Sequence, residues 1–363
     1  MRKDWEYKKW ADVLTIINGK NQKAVESIDG TYPIYGSGGI MGYANDWLCP
    51  ENCTIIGRKG NINKPIFVES KFWNVDTAFG LNSNQNLLAS KYLYYFCLNY
   101  DFNRHNKAVT IPSLTKVDLL KIEMPLPPKP TQLAIVAELD KINELIQLKK
   151  QQLKDYDQLA QSIFYEMFGD PVENEKGWEV KKLGEVCETS SGGTPSKTHT
   201  EYYENGTIPW LRSGEVSQGY IYDAEIYISE LGLNKSSAKI FPKDTVLIAM
   251  YGATVGEVGI LCNPMCTNQA ICGILPNDLY NSEFLRYVLL SHKDKYLSLA
   301  SGGAQPNISQ QIIKSTLIPF IDKPLQQQFA ARIEAIERQK QQVSETIKDL
   351  ETLLASRMQY WFD

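Results

Sequence analysis

Two stretches of the chain, residues 131–168 and 325–361, repeat apolar side chains at alternating three- and four-residue spacings, the pattern of a helix with one apolar stripe. In the first stretch, Ile135, Ile142, Tyr156 and Ile163 share one heptad position, interrupted by Lys149, and Leu139, Ile146, Leu153, Ala160 and Met167 share its partner. In the second, Phe329, Ile336, Val343 and Leu350 are followed by Arg357, while Ile333, Ile347, Leu354 and Trp361 share the other position with Lys340. A seam kept over about five heptads predicts a coiled coil. Helices of about 38 residues at ~1.5 Å per residue reach roughly 57 Å, longer than a core helix needs. Each helix is expected to take the other as its partner, the alternative being two core helices of one bundle. Pro130 and Pro324 stand just before the two patterns, and Gly169-Asp170-Pro171 ends the first, as helix start and stop signals do.

The stretches between these helices, about 5–124 and 178–318, read differently. They are rich in Gly, Asn, Ser and Tyr and carry short β-like runs, of which Cys53-Thr54-Ile55-Ile56-Gly57 and Thr245-Val246-Leu247-Ile248-Ala249 are the clearest. The chain also repeats itself. Trp5-Glu6-Tyr7-Lys8-Lys9 recurs 173 positions later as Trp178-Glu179-Val180-Lys181-Lys182. Pro112, Pro125, Pro130, Gln132, Ile142 and Phe168 match Pro306, Pro319, Pro324, Gln326, Ile336 and Phe362, all 194 positions on. Gly60 matches Gly252, and Asp76-Thr77-Ala78 matches Asn268-Gln269-Ala270, at a shift of 192. The second copy is thus 21 residues longer, mostly before the position of Gly60, as when loops vary on a fixed scaffold. The expected architecture is α+β: two pseudo-repeated globular domains with β-rich cores, and two long helices. The expected segments are 1–124 and 171–318, the latter including a linker, for the domains, and 125–170 and 319–363 for the helices.

Composition narrows the class. The chain has 363 residues and 43% hydrophobic content, enough for two domains with their own cores. No apolar run reaches membrane-spanning length, and the start Met1-Arg2-Lys3-Asp4-Trp5-Glu6 has no apolar signal stretch; a cytoplasmic protein is expected. Seven cysteines, an odd number, argue against a disulfide framework. The Cys49/Cys53 and Cys262/Cys266 spacings invite zinc, but no CxxC pair or nearby histidine supports it, so buried thiols are the expectation. Net charge is −4; residues 1–116 carry +4 and residues 178–310 carry −4, so attraction to phosphate by this chain alone is expected to be weak.

The order of domain, proline and heptad helix, given twice, resembles the specificity subunits of type I restriction-modification systems. The resemblance covers the whole chain. It rests on the two Trp-Glu-x-Lys-Lys starts, on Leu183-Gly184-Glu185-Val186, on Ser191-Gly192-Gly193-Thr194-Pro195-Ser196, on Thr267-Asn268-Gln269-Ala270, and on Ile318-Pro319 leading through Pro324-Leu325-Gln326-Gln327-Gln328 into the helix. The first unit departs from it, with Trp10-Ala11-Asp12 and Asn18-Gly19-Lys20-Asn21 at the corresponding places. The resemblance implies a non-catalytic protein without cofactor. Each domain would read one half of a split double-stranded DNA sequence. The helices would form an antiparallel spacer that docks two methyltransferase subunits, with restriction-translocation subunits as further partners.

The chain has no P-loop, no glycine-rich cofactor loop and no Pro-Pro-aromatic motif. Glu69-Ser70-Lys71 after Ile66-Phe67-Val68, with Asp76, is the best nuclease-like pattern; a Glu-x-Lys is common by chance, and alternating charge on a strand edge is the better explanation. Side chains able to present hydrogen-bonding forks to base edges are Arg58, Lys59, Asn61, Asn63, Arg104 and Lys107 in the first domain. In the second they are Trp210, Arg212, Ser213, Tyr251, Thr254, Asn268, Gln269 and Gln305. For each the competing reading is a solvated side chain or a backbone brace. The residues expected to hold the coiled coil are Ile135, Leu139, Ile142, Ile146, Leu153, Ile333, Ile336, Val343, Ile347, Leu350 and Leu354. A scaffold that keeps the coiled coil but no longer reads DNA is the rival of a different class, favoured by the acidic second domain.

Overall fold

The computed structural model describes residues 5–106, 111–300 and 306–363. It divides into two compact units, Met1–Gln152 with Val343–Asp363, and Leu153–Gln342. Two helices of 40 residues each, Lys129–Phe168 and Lys323–Phe362, contribute to both. Pro130 and Pro324 lie in the first turn of their helices, where the missing N–H has no helical partner to lose. No helix among the described residues is long and apolar enough to cross a membrane.

In the first unit the sheet order is Leu14–Asn18, Ala78–Ser83, Cys53–Gly57, Ile66–Val68, all antiparallel. A second sheet joins Gly39–Ala44 to Tyr32–Gly36, which runs parallel to Trp73–Asn74. The strand of the Trp-Glu repeat, Glu6–Lys9, pairs with Glu123–Leu126 just before the long helix. The core holds Trp10, Phe79, Tyr92, Tyr95 and Phe102 together with Ile135 and Leu139 from the start of the first long helix and Phe362 from the end of the second. The second unit has the same internal plan. Its sheets are a five-stranded one, centred on Val246–Ala249, and a four-stranded one in which Ile208–Leu211 runs parallel to Met265–Thr267. Val180–Lys182 pairs with Leu317–Pro319 before the second helix. Its core joins Phe284, Leu289 and Tyr296 to Phe164 and Phe168 at the end of the first helix, and to Phe329 and Ile333 at the start of the second.

The helices run antiparallel within each unit. In the first, Arg357 donates to Glu138, with Trp361 Nε1 adding a bond of 3.2 Å to the same carboxylate, and Lys150 meets Glu351 at 2.8 Å. The Arg357 bonds hold the Glu138 carboxyl below its ordinary range. In the second, Lys340 lies 2.7 Å from Asp157 and 2.9 Å from Glu337. Half-burial weakens its charge, and the two carboxylates outweigh that and raise its pKa. This lysine in the seam therefore keeps its charge, balanced by carboxylates of both helices. Ile135, Leu139, Ile142, Ile146, Ile333, Ile336, Val343 and Ile347 are buried; Leu153, Leu350 and Leu354 are half-buried. The helix ends depart from a plain coiled coil. Phe164, Phe168, Phe329 and Phe362 serve domain cores, so the core-helix alternative describes the ends and the heptad seam describes the middle.

Two glutamines 194 residues apart tie each helix to its domain. Gln132 is fully buried; its Oε1 accepts from Ala89 N at 2.8 Å and its Nε2 donates to Leu87 O and Pro127 O at 2.9 Å each. Gln326 repeats this with Asn281 N at 2.7 Å, Leu279 O at 3.0 Å and Ile321 O at 2.7 Å. Losing such a side chain strands buried backbone groups, each at a cost of about 1–3 kcal/mol. We expect Gln326→Leu to lower unfolding stability by on the order of 3 kcal/mol in denaturant melts. A loss below about 0.5 kcal/mol would mean that water replaces the clamp.

Candidate functional site

The second unit brings its distant motifs to one place. Gly192 N and Gly193 N donate to Ile271 O at 3.2 Å and Thr267 O at 2.9 Å, which lays the Ser-Gly-Gly-Thr run along the Thr-Asn-Gln-Ala run. A Cβ on Gly192 would stand 2.1 Å from Thr267 Oγ1, and one on Gly193 2.2 Å from the Ser237 carbonyl carbon, so no larger residue allows this approach. Thr194 Oγ1 then donates to Gln269 Oε1. Beside this pair the strand Ile208–Leu211 is followed by Arg212, and an open cleft of about 720 Å³ forms between Thr194, Lys197, Arg212, Asn268 and Gln269. Tyr203, Trp210 and Ile226 supply its apolar lining.

Arg212 is held in place. Glu215, buried, accepts from the backbone N–H groups of Arg212 and Glu225 at 2.9 Å each and lies 3.7 Å from the guanidinium Nε. Exposed Glu225 takes Nη2. Asn268 Oδ1 accepts from Ala270 N at 3.2 Å, the backbone brace that sequence alone allowed as the competing reading; its amide NH₂ has no partner among the described residues. Ser213 opens a short 3-10 turn, Ser213–Gln218, that packs against the turn Gly252–Thr254, so Tyr251 and Thr254 lie next to the Arg212 segment. Tyr251 is exposed, and Thr254 Oγ1 donates to Tyr251 O at 3.2 Å.

One expectation needs correction. Trp210 is not an exposed base contact: it is 3% exposed, and its Nε1 donates to Gly193 O at 2.9 Å. Both faces of the strand are packed here, Trp210 against Ile228 and Cys266 and Leu211 in a separate cluster, and Trp210 fixes the glycine loop. Asn63 is also turned to the protein, accepting from Phe102 N at 2.8 Å and donating to Asp101 at 3.0 Å. Lys107 and Gln305 lie outside the described residues. Glu215 and Lys197 had no signal in the sequence beyond their charge.

In the first unit, Arg58, Lys59 and Asn61 are exposed on the loop after Cys53–Gly57. The repeat predicted there is physical. Gly60 N donates to Pro112 O at 3.1 Å, and Gly252 N to Pro306 O at 2.8 Å. Lys59 bridges Ser113 as Tyr251 bridges Asn307. Both glycines are left-handed, with φ of 79° and 75°, a conformation that a Cβ disfavours. Arg104 is exposed and lies 5.8 Å from the Tyr100 ring centroid. Among the described residues no cluster of three or more His, Cys, Asp or Glu is placed to hold a metal, and Lys71 lies over the Trp47 ring rather than toward a carboxylate pair. Burial pushes the Cys53 thiol up to about 12 and Cys266 to about 11, the reverse of a metal thiolate.

The family described as "Type I restriction modification DNA specificity domain" matches the chain twice, over residues 2–155 and 175–352. The chain belongs to this family. Both matches run from a reading-domain candidate into a long helix, which is the repeat found in the sequence. Among relatives, the chain is 34% identical over 176 residues to the type I restriction enzyme MjaIX specificity subunit of Methanocaldococcus jannaschii, covering 46% of this chain and 40% of that one. It is 26% identical to the EcoR124I/EcoR124II specificity subunit of Escherichia coli over 67% of this chain and 62% of that one. These alignments thus span about half the length of the two relatives. The MjaVIII specificity subunit of M. jannaschii aligns at 24% identity over 97% of this chain and 92% of its own length. In structure, the chain is similar to the type I restriction-modification S subunit from M. genitalium, with a TM-score of 0.58 and 16% identity over 100% of this chain and 98% of that one. At that identity the likeness speaks for the fold.

Proposed function

We propose that this family member is the non-catalytic, sequence-reading subunit of a type I restriction-modification assembly. Each globular domain, 1–124 and 171–318, reads one half of a split double-stranded DNA site. The helical segments 125–170 and 319–363 set the gap and dock two methyltransferase subunits, with restriction-translocation subunits as further partners, in the cytoplasm. The observation that carries this reading is the doubled plan: two family matches, each with its own sheets, Gly-to-Pro loop contact and glutamine-clamped helix. A protein built twice suits a target read in two halves. Docking on the helices is supported by Leu145 and Leu148, which are 40% and 58% exposed on one face of the first long helix although apolar. The weak overall charge fits a subunit that grips DNA only when partners close around the duplex.

The test is methylation mapping of DNA from cells producing this chain with its cognate methyltransferase. The expected result is a split motif, two short specified halves with a fixed gap. A continuous motif, or no methylation by a well-formed complex, would replace this reading by the scaffold that the acidic second domain favours.

A further inference from the structure

We propose that the cleft between Thr194, Arg212, Asn268 and Gln269 is the base-reading site of the second domain, and that it reads the guanine of a G·C pair. This rests on the reading proposed above and goes further, to the residues and the base. The chemistry is one of donors. Asn268 turns its amide oxygen to Ala270 N, so the NH₂ is the end left for a ligand. Gln269 has likewise given its oxygen to Thr194, leaving NH₂. Arg212 keeps Nη1 without a partner among the described residues, because Glu215 and Glu225 engage only Nε and Nη2. Lys197 adds an ammonium to the lining.

A wall of donors discriminates among base edges. In the major groove guanine offers two adjacent acceptors, N7 and O6, whereas adenine sets a donor beside its acceptor and cytosine presents a donor alone. Reading adenine needs an amide that sets its oxygen and its NH₂ side by side against the base, and here both amides turn their oxygens to the protein. The single carboxylate in the lining, Glu204, suits the N4 amino group of the paired cytosine. Rigidity supports the assignment, because Glu215 ties the backbone N–H of Arg212 to that of Glu225, whose carboxylate holds the guanidinium, and the Gly192–Gly193 contact fixes Thr194. Arg212 therefore meets a base edge from a fixed position rather than as a mobile surface charge.

The test uses the chain assembled with its methyltransferase subunits and a panel of duplexes, each altering one base pair of the mapped motif, with affinities read by competition. Arg212→Ala removes the guanidinium. Asn268→Asp keeps the oxygen that accepts from Ala270 N but replaces the outward donor by an acceptor, so the turn survives. Both variants are expected to lower discrimination at one G·C pair of one half-site on the order of tenfold to a hundredfold. Discrimination at the other half should not change. The inference is overturned if both variants leave every ratio unchanged in the half read by the second domain, if they lower all ratios equally, or if that half contains no G·C pair. Absence of any split motif for the unaltered assembly would instead remove the broader reading.

Discussion

Replacing residues 5–110 with the matching stretch of another member of this family is expected to change one half of the methylated motif completely and leave the other half as it was. The first unit has its own core around Trp10, Phe79 and Phe102, so a foreign domain brings its own packing. Several of its attachments to what remains use backbone groups of the exchanged stretch. Gly60 N reaches Pro112 O, Leu114 N reaches Arg58 O at 2.9 Å, and Lys116 Nζ reaches Ile16 O at 2.7 Å. Gln132 binds Ala89 N and Leu87 O. Backbone groups are present whatever the donor's sequence, so these bonds transfer. The side-chain attachments that do not include the parallel stack of Trp5 on Trp361, with ring centres 6.1 Å apart, Tyr92 and Phe96 against Phe362, and Lys91 and Tyr95 on Asp140. A donor that keeps aromatic residues and an Asp140 partner at these places is therefore the right choice. At about 1–3 kcal/mol per mismatched base pair, the old half-site should lose several kcal/mol of preference. Methylation mapping reads the outcome; a change in both halves, or in neither, would defeat the two-reader account.

The parts visible in the sequence were those in which one residue type has one physical use at a fixed spacing. Heptads marked the helix pair because its seam excludes polar residues except where partners satisfy them, as Asp157 and Glu337 satisfy Lys340. The matched Gly60/Gly252 and Pro112/Pro306 turned out to touch within each domain, since a left-handed turn and its backbone acceptor must persist together. Gln132 and Gln326 aligned as well, but nothing in the pattern distinguished a buried clamp from a surface glutamine. The second-domain cleft was only partly legible. Arg212, Asn268 and Gln269 stood out as forks. Their convergence depends on the parallel pairing of Ile208–Leu211 with Met265–Thr267, a long-range register that local pattern does not specify. Trp210 is hidden for the same reason: its polar neighbourhood in sequence does not show that both faces of that strand are packed.

Adding one heptad to each long helix, at facing positions near Lys149 and Lys348, is expected to lengthen the unread gap by about three base pairs and keep both halves of the motif. Seven residues add about 10.5 Å of helix, against 3.4 Å per base pair of duplex. Seven is also the period of the seam, so Ile142, Ile146, Val343 and Ile347, all buried, stay on the inner side, whereas an insertion of two or five would turn them toward solvent. Both helices must be extended because they run antiparallel: Lys150 faces Glu351 and Asp157 faces Lys340. A heptad in one helix alone would slide one half of that ladder against the other and should destabilise the protein. Twist sets a second consequence. Three base pairs rotate the duplex by roughly a third of a turn, while a heptad rotates a helix face by only about 20°. The lengthened protein must therefore twist its DNA, and methylation at the new site should be slower than at the original. A folded, active complex that keeps the original gap would show that the methyltransferase subunits, rather than the helices, set the spacing.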